Sequence, residues 1–280
     1  MGIKWRRRVW RNTSKSKSTY EGFIMREIIV YSDTIKLDNG VFFGQGIFET
    51  IFFGEAPYFL DFHINRLKQG LKALDMKPLI EEDKVLEYIN KLGIKNKVLK
   101  ITVTEKNIIL TTRKNIYTEE MHEKGFSLKI SKVLRNSTSI LPRIKSTNYI
   151  ENILEKRNGA KEGYDDVIFF NEKGFLCETS VSNIFCIKDN KIYTPSCYNG
   201  LLNGTIRDWI INNFEVIECD ITMKDLKSMD EVFVTNSLLG IMKVKSIEDL
   251  QFNKNVITKS IRDRYKKYIV SEYGGKRIYD

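Results

Sequence analysis

The residues that could carry chemistry in this sequence are a lysine, a carboxylate, an arginine and a glycine at a helix start. Lys145 precedes the polar run Ser146–Tyr149, and Glu178 follows a turn. Arg66 lies on the polar side of an amphipathic segment, and Gly204 opens a helical pattern. A lysine amine can form an imine with an aldehyde, and a carboxylate can hold a proton on a nearby nitrogen. Taken singly, each residue has an ordinary explanation as a solvated surface charge or a turn residue.

Other motifs of catalytic or metal sites are weak or absent. The glycine pair Gly44 and Gly46 lacks the G-x-G-x-x-G spacing of a dinucleotide-binding loop, so a hairpin is the expected role. The two histidines, His63 and His122, are too few for a histidine-based metal cluster and support a Ser-His-Asp arrangement poorly. The four cysteines contain no C-x-x-C pair and predict buried, reduced thiols rather than a zinc site. No metal is expected.

The composition is that of an ordinary globular protein. The 280 residues suffice for one large domain or two modest ones, with 42% hydrophobic and 29% charged residues. No apolar run approaches the roughly 18–20 residues that a membrane span needs. These features predict a soluble, cytoplasmic protein without a membrane partner.

Most of the net positive charge lies in the first 24 residues. This segment holds seven basic side chains and one acidic one, which is +6 of the formal net charge of +10. We expect residues 1–24 to be a basic, disordered extension, or an addition upstream of a true start at Met25. A basic arm can bind phosphate backbones nonspecifically, so a nucleic-acid-binding protein is an alternative of another class. Because the rest of the chain carries little net charge, we do not expect nucleic acid as a partner.

Hydrophobic periodicity predicts an α+β protein of two lobes. Strands are expected at 28–31, 48–53, 98–104, 108–112, 126–133, 166–170, 183–187, 191–194 and 231–235. Helices are expected from His63, over 82–92, after Lys145, from Gly204 towards Asn213 and over 256–273. The predicted divisions are an N-terminal α/β lobe at 25–137, a linker at 138–144 and a C-terminal lobe at 145–280 that contains Lys145.

The order and the residue sequences of the motifs together indicate a family more specifically than any single motif does. The chain resembles the class IV aminotransferases, the fold type IV pyridoxal-phosphate enzymes, from about Met25 to about Val244. The matching segments are Gly44–Thr50, His63–Leu67, Lys145–Tyr149, Gly163–Asp166, Glu178–Phe185, Thr194–Pro195, Leu201–Arg207 and Thr235–Ser237. The resemblance implies a two-lobed fold like that of D-amino-acid aminotransferase, with pyridoxal 5'-phosphate between the lobes.

The resemblance also implies roles for individual residues. Lys145 would bind the cofactor as an imine and, once released, carry the proton at the substrate carbon. Glu178 would hold the proton on the pyridine nitrogen. The phosphate group would bind Arg66, the helix start at Thr205 and Ile206, and the hydroxyl of Ser237. Tyr149 would reach the phenolic oxygen of the ring.

Two positions depart from the family pattern. The usual Gly-Ile-Thr order reads Gly204-Thr205-Ile206, which leaves open which hydroxyl contacts phosphate. A Pro-Val pair that often follows the Thr-Asn-Ser motif reads Lys243-Val244, which leaves the rigidity of that loop open.

Within the family, the wording of Thr235–Ile241 resembles the 4-amino-4-deoxychorismate lyases. Such an enzyme acts in folate biosynthesis and converts aminodeoxychorismate to 4-aminobenzoate and pyruvate. A branched-chain or D-amino-acid aminotransferase is the alternative, and either would be a homodimer acting on a small molecule. Arg113 and Lys114 are weak candidates for binding substrate carboxylates, because a surface-exposed basic pair is the better explanation of both.

Overall fold

The computed structural model describes residues 26–30, 34–78, 80 and 82–274. The basic segment 1–24 and Met25 therefore lie outside the described residues, together with the predictions made for them. The described chain forms two lobes, each built on its own sheet. One hydrophobic cluster forms the core of the smaller lobe. A larger cluster forms the core of the bigger lobe and continues into the interface between the two lobes.

The small lobe has a four-stranded sheet in the order β1-β4-β3-β2. Strand β1 pairs with β4 in parallel, and the other pairs are antiparallel. Helix α2 buries Ile64, Leu67 and Leu71 against this sheet, which leaves its polar side free to face the other lobe. The elements are β1 (Glu27–Val30), α1 (Asn39–Phe43), β2 (Ile47–Phe53), α2 (Leu60–Ala73), α3 (Glu82–Lys91), β3 (Lys97–Val103) and β4 (Asn107–Arg113).

The large lobe has a nine-stranded sheet whose main path runs β10-β9-β8-β11-β12-β5-β6-β7, with β13 paired to β12. Strand β7 also pairs with β8 at Glu178 and Asn183, which closes six strands into a ring. The elements are α4 (Glu119–Lys124), β5 (Phe126–Ile130), α5 (Ile150–Lys161), β6 (Asp166–Phe170), β7 (Leu176–Thr179), β8 (Asn183–Lys188), β9 (Lys191–Pro195), α6 (Thr205–Asn213), β10 (Val216–Cys219), α7 (Met223–Lys227), β11 (Glu231–Asn236), β12 (Gly240–Ile247), β13 (Leu250–Gln251) and α8 (Val256–Tyr273).

The division between the lobes differs from the predicted boundary at residue 137. Strand β5 pairs in parallel with both β12 and β6, so it belongs to the large sheet. Phe126 and Leu128 on this strand are buried in the large core. The chain therefore crosses between the lobes after β4, and residues 138–144 form a loop within the large lobe. That loop contains one 3-10 turn at Leu141–Arg143.

Two local predictions in the small lobe are also corrected. Gly44 and Gly46 do not form a hairpin, because Asp38 caps a short helix α1 that ends at Gly44. Gly44 has a φ of 67°, a left-handed conformation that glycine adopts without steric cost. Helix α2 begins at Leu60, three residues before the predicted start at His63.

The described residues contain no helix that is long and apolar enough to cross a membrane. Within the same part of the chain, no group of three or more His, Cys, Asp or Glu side chains could hold a metal ion. The four cysteines are free thiols, of which Cys177 and Cys186 are buried.

Candidate active site

A cavity of about 350 Å³ lies where α2 of the small lobe meets the large lobe. Its lining includes six of the seven residues that the sequence singled out for a cofactor site: Arg66, Lys145, Tyr149, Glu178, Thr205 and Ser237. Ile206 does not line the cavity, because its side chain is fully buried in the large core. Its backbone still belongs to the first turn of α6, where N–H groups have no partner within the helix.

Lys145 lies beside aromatic rings at this cavity. Its carbonyl accepts a hydrogen bond of 2.9 Å from the Phe48 N–H, which fixes the lysine backbone against β2. Its Nζ lies 4.6 Å from the centre of the Phe48 ring and 5.7 Å from that of Tyr149. Burial, assisted by the Arg66 guanidinium, lowers the pKa of Lys145 to about 8. About a tenth of this amine is therefore neutral at pH 7, far more than for an ordinary lysine.

Arg66 is held by a buried carboxylate that the sequence analysis did not assign. The Nε and Nη2 atoms of Arg66 each donate to Glu49 at 2.7 Å, in a bidentate pair. Nδ1 of His63 lies 2.6 Å from the same carboxylate. Burial acts to raise the pKa of Glu49, but Arg66 and His63 outweigh it and hold that pKa well below its usual range. Glu49 is therefore ionised and fixes the direction of the guanidinium.

The amino end of α6 forms a second side of the cavity. Gly204 precedes the helix, and a Cβ built there would lie 2.0 Å from Oδ1 of Asn183, so any larger residue would clash. Asn183 donates to the Leu202 carbonyl at 2.7 Å, which fixes the loop before the helix. The hydroxyls of Thr205 and Thr235 are buried, line the cavity and make no hydrogen bond within the described residues.

Glu178 lies on β7 next to the point where the ring of strands closes. Its Oε2 accepts from the Leu202 N–H at 3.2 Å, and its Oε1 lies 3.6 Å from Nη2 of Arg135. Burial raises the pKa of Glu178 to about 7, although Arg135 and the Leu202 N–H act in the opposite direction. Arg135 itself stacks on Phe169 at 3.8 Å. Arg135 forms an ion pair with this carboxylate but lies just beyond hydrogen-bond distance.

Tyr149 is oriented by a buried loop of the large lobe. Its hydroxyl donates to the Ser180 carbonyl at 2.8 Å, and Asn152 donates to the same carbonyl at 2.7 Å. The buried Asp166 accepts from the hydroxyls of Thr179 and Ser180, which fixes that loop. Burial raises the pKa of Tyr149, so the hydroxyl stays protonated and serves as a donor.

The suggested carboxylate-binding pair, Arg113 and Lys114, is exposed and does not line the cavity. Lys100 on β3 is also exposed and is not among the lining residues, but its Nζ lies 4.5 Å from the centre of the Phe48 ring. Phe48 thus contacts both Lys100 and Lys145.

Six residues at or near the cavity have no role predicted from the sequence. They are Glu49, His63, Lys100, Arg135, Asn183 and Thr235. Glu49 carried a signal, since it is an acid within the otherwise apolar strand at 48–53 and a buried acid needs a cationic partner. Arg135 carried none, because nothing in the neighbouring sequence indicates that its side chain is buried.

Comparison with known proteins gives a consistent family. The family model for amino-transferase class IV matches residues 46–247. The aminodeoxychorismate lyase of Bacillus subtilis (strain 168) is 29% identical over 271 residues, covering 85% of this chain and 92% of that protein. A Methanocaldococcus jannaschii protein described as a candidate branched-chain-amino-acid aminotransferase is 30% identical over 269 residues, covering 87% and 93%.

Solved structures agree with the fold. A Legionella pneumophila protein described as a candidate 4-amino-4-deoxychorismate lyase superposes with a TM-score of 0.77 at 27% identity, covering 86% of this chain and 98% of that one. The T.th. branched-chain amino acid aminotransferase with pyridoxamine 5'-phosphate superposes with a TM-score of 0.75 at 22% identity, covering 83% and 88%. The predicted fold type IV architecture is confirmed. This chain therefore belongs to the class IV aminotransferase family of pyridoxal-phosphate enzymes.

Proposed function

We propose that this protein is a 4-amino-4-deoxychorismate lyase, which releases 4-aminobenzoate and pyruvate and so serves folate biosynthesis. The observation that carries the proposal is the turn between β11 and β12, where the sequence Thr235–Ile241 resembles that of the lyases. Oδ1 of Asn236 in this turn accepts from the N–H groups of Leu238 and Leu239, both at 2.9 Å. These two backbone donors are therefore engaged within the turn.

The residues around the cavity fit pyridoxal 5'-phosphate. Of the five N–H groups of Arg66, three are used by Glu49 and the Asn203 carbonyl, so two are free for a phosphate. The buried hydroxyls of Thr205 and Thr235 supply two further donors that have no other partner among the described residues. A dianion at the amino end of the nine-residue helix α6 would also be favoured by the helix dipole.

Lys145, Glu178 and Tyr149 would hold the ring end of the cofactor. Bound pyridoxal phosphate supplies an electron sink for the negative charge that forms when a proton leaves the substrate carbon. Lys145 would hold the cofactor covalently and then, as a free amine, accept the proton from the ring carbon that bears the substrate amine. The enolpyruvyl group leaves from the adjacent carbon. Glu178 would face the pyridine nitrogen. Tyr149 would face the phenolic oxygen and would donate to it by exchanging its present hydrogen bond to the Ser180 carbonyl.

Lys100 supports a substrate with more than one carboxylate. Its ammonium group and that of Lys145 both contact Phe48, and the charge of Lys100 is one of the influences that lower the pKa of Lys145. A cation in that place attracts the anionic substrate and fixes its orientation relative to Lys145. Aminodeoxychorismate carries two carboxylates, which suits such a site.

An aminotransferase is the second candidate function. It is supported by the M. jannaschii protein named above and by a Listeria monocytogenes D-alanine aminotransferase, which is 25% identical over 243 residues. An aminotransferase keeps the amino group on its cofactor after the first half-reaction and needs a 2-oxo acid to continue. A lyase needs no acceptor.

The first test uses that difference. Purified holoenzyme is expected to convert aminodeoxychorismate to 4-aminobenzoate and pyruvate over many turnovers without an added 2-oxo acid, measured by chromatography and a coupled pyruvate assay. Amino acids with and without 2-oxo acids are supplied in parallel. Stoichiometric transfer of an amino group from a branched-chain or D-amino acid, with aminodeoxychorismate inert, would assign the aminotransferase instead.

A matched pair of variants locates the substrate carboxylates in the same assay. Lys100→Met is expected to raise the KM for aminodeoxychorismate about tenfold, since a charge-assisted contact contributes on the order of 1.5 kcal/mol. Lys114→Met removes the same charge from an exposed position outside the cavity and is expected to leave KM unchanged. Equal effects of the two substitutions would remove Lys100 from the substrate site.

We also propose a homodimer in which a second copy covers the open side of the cavity. Large apolar side chains are exposed around this opening, which is unusual for a surface in contact with water. They are Leu134, Ile140, Leu141, Ile150 and Tyr198, exposed by 43% to 81%. Sedimentation velocity at micromolar concentration is expected to give a dimer, and a monomer at that concentration would contradict the proposal.

A further inference from the structure

The carboxyl end of α8 contacts the small lobe through a cluster of six aromatic side chains, here called the aromatic clasp. It consists of Tyr58, Phe59, Trp209, Tyr265, Tyr268 and Tyr273. The first two precede α2, Trp209 lies on α6, and the three tyrosines lie on α8. Helix α8 therefore contacts both α6 and the two residues that immediately precede α2.

Phe59 is the centre of the clasp on the small-lobe side. Its ring is stacked on Tyr268 at 5.9 Å and on Tyr265 at 6.5 Å, with interplanar angles of 26° and 4°. The Tyr273 ring lies 5.6 Å from it. These contacts hold the residue that immediately precedes α2 against the end of α8.

The backbone of Phe59 is strained, and Tyr273 helps to hold it. Phe59 has φ 54° and ψ 36°, a left-handed conformation that an aromatic residue rarely adopts. Such a conformation persists only where the surroundings enforce it. The Phe59 N–H donates to the Tyr273 hydroxyl at 3.1 Å, at a helix start that has no side-chain cap of its own. Removing this hydroxyl would leave the strained N–H without that partner.

The strained residue determines where α2 starts and hence where Arg66 points. Arg66 lies seven residues after Phe59, about 10 Å along the helix axis. Its Nη1 donates across the lobes to the Asn203 carbonyl at 2.9 Å, directly before α6. On the other side of the clasp, Trp209 of α6 packs on Tyr265 at 5.1 Å. The spacing between Arg66 and the start of α6 is thus fixed at both ends by α8.

We propose that Tyr273 is a positioning residue for phosphate binding: its hydroxyl fixes Phe59 and the start of α2, and so keeps Arg66 in register with the amino end of α6. This inference rests on the proposed role of Arg66. It predicts that a change at the end of α8, on a different element from any residue of the cavity, selectively weakens recognition of the phosphate group.

The test measures a phosphate advantage, defined as the dissociation constant of pyridoxal divided by that of pyridoxal 5'-phosphate, on the full-length apoprotein. In Tyr273→Phe, this ratio is expected to fall about three- to tenfold, the range for one lost hydrogen bond. The affinity for pyridoxal itself should not change. Ile269→Val, at a buried position of the same helix, is the matched control, and it should lower the melting temperature without changing the ratio.

A double-mutant cycle with Arg66→Ala separates the possible failures. If Tyr273 acts through Arg66, then Tyr273→Phe has no effect on the ratio once Arg66 is absent. Three results would each overturn the proposed role of Tyr273. They are an unchanged ratio in Tyr273→Phe, an equal fall of the ratio in Ile269→Val, and a full effect of Tyr273→Phe in the Arg66→Ala background. If Arg66→Ala alone keeps the full phosphate advantage, the proposed cofactor role of Arg66 is wrong, and the clasp proposal fails with it.

Discussion

Replacing Lys145 with methionine is expected to abolish the visible absorbance of the lysine-bound cofactor and to lower turnover by about a thousandfold or more. A positioned general acid–base alone contributes roughly 10²–10⁴-fold, and the variant loses covalent attachment as well. Methionine has a similar length and suits the contact with Phe48 and Tyr149, so the fold should persist. Absorbance and turnover are measured on the same preparation.

The position of the attachment is read directly in the wild-type enzyme. Reduction of the holoenzyme with borohydride, followed by peptide mass spectrometry, is expected to give a pyridoxyl adduct on Lys145. Lys100 is the relevant internal control, because its ammonium group also contacts Phe48 and therefore lies near the site. An adduct on Lys100, or on any other lysine, contradicts the assignment of Lys145. A second variant, Lys145→Ala, should regain part of its turnover when a small primary amine such as methylamine is added.

The residues proposed to react stand out in the sequence because each lies in a short segment with a distinctive residue pattern. Lys145 is followed directly by Ser-Thr-Asn-Tyr, and the helix at Gly204 follows a recognisable Leu-Leu-x-Gly. At Gly204 the residue type has a physical cause, because a side chain there would clash with Asn183. The cavity brings these segments together from both lobes.

The supporting residues were harder to predict because their roles depend on distant contacts. Arg135 lies near Glu178 only because β5 and β6 pair in parallel and bring residue 135 beside Asn171. The lobe boundary failed for the same reason, since the pairing of β5 with β12 joins residues more than 100 positions apart. The prediction for strand β12 (Gly240–Ile247) failed for a different reason. The alternation of Met242, Lys243, Val244 and Lys245 is typical of a strand, and the expectation of a loop at Lys243-Val244 is wrong.

Glu178→Gln is expected to leave the cofactor bound and to lower turnover by about 10²–10³-fold. Glutamine keeps the size of the side chain but cannot stabilise a proton on the ring nitrogen, so the electron sink is weakened. The contacts proposed for the phosphate lie elsewhere in the cavity, which is why binding should persist. In the protein alone, burial raises the pKa of Glu178 to about 7, whereas a positively charged ring nitrogen beside it would lower that pKa and favour the ionised form.

Glu151→Gln is the matched control, because Glu151 also contacts Arg135, with its Oε1 2.6 Å from Nη1. If the loss in Glu178→Gln came only from disturbing Arg135, Glu151→Gln would lose a comparable fraction of turnover. We expect it instead to stay within about threefold of wild type, because a half-exposed ion pair contributes little. Cofactor affinity and kcat are measured separately for both variants. A Glu178→Gln enzyme with near wild-type kcat would mean that another group holds the proton on the ring nitrogen.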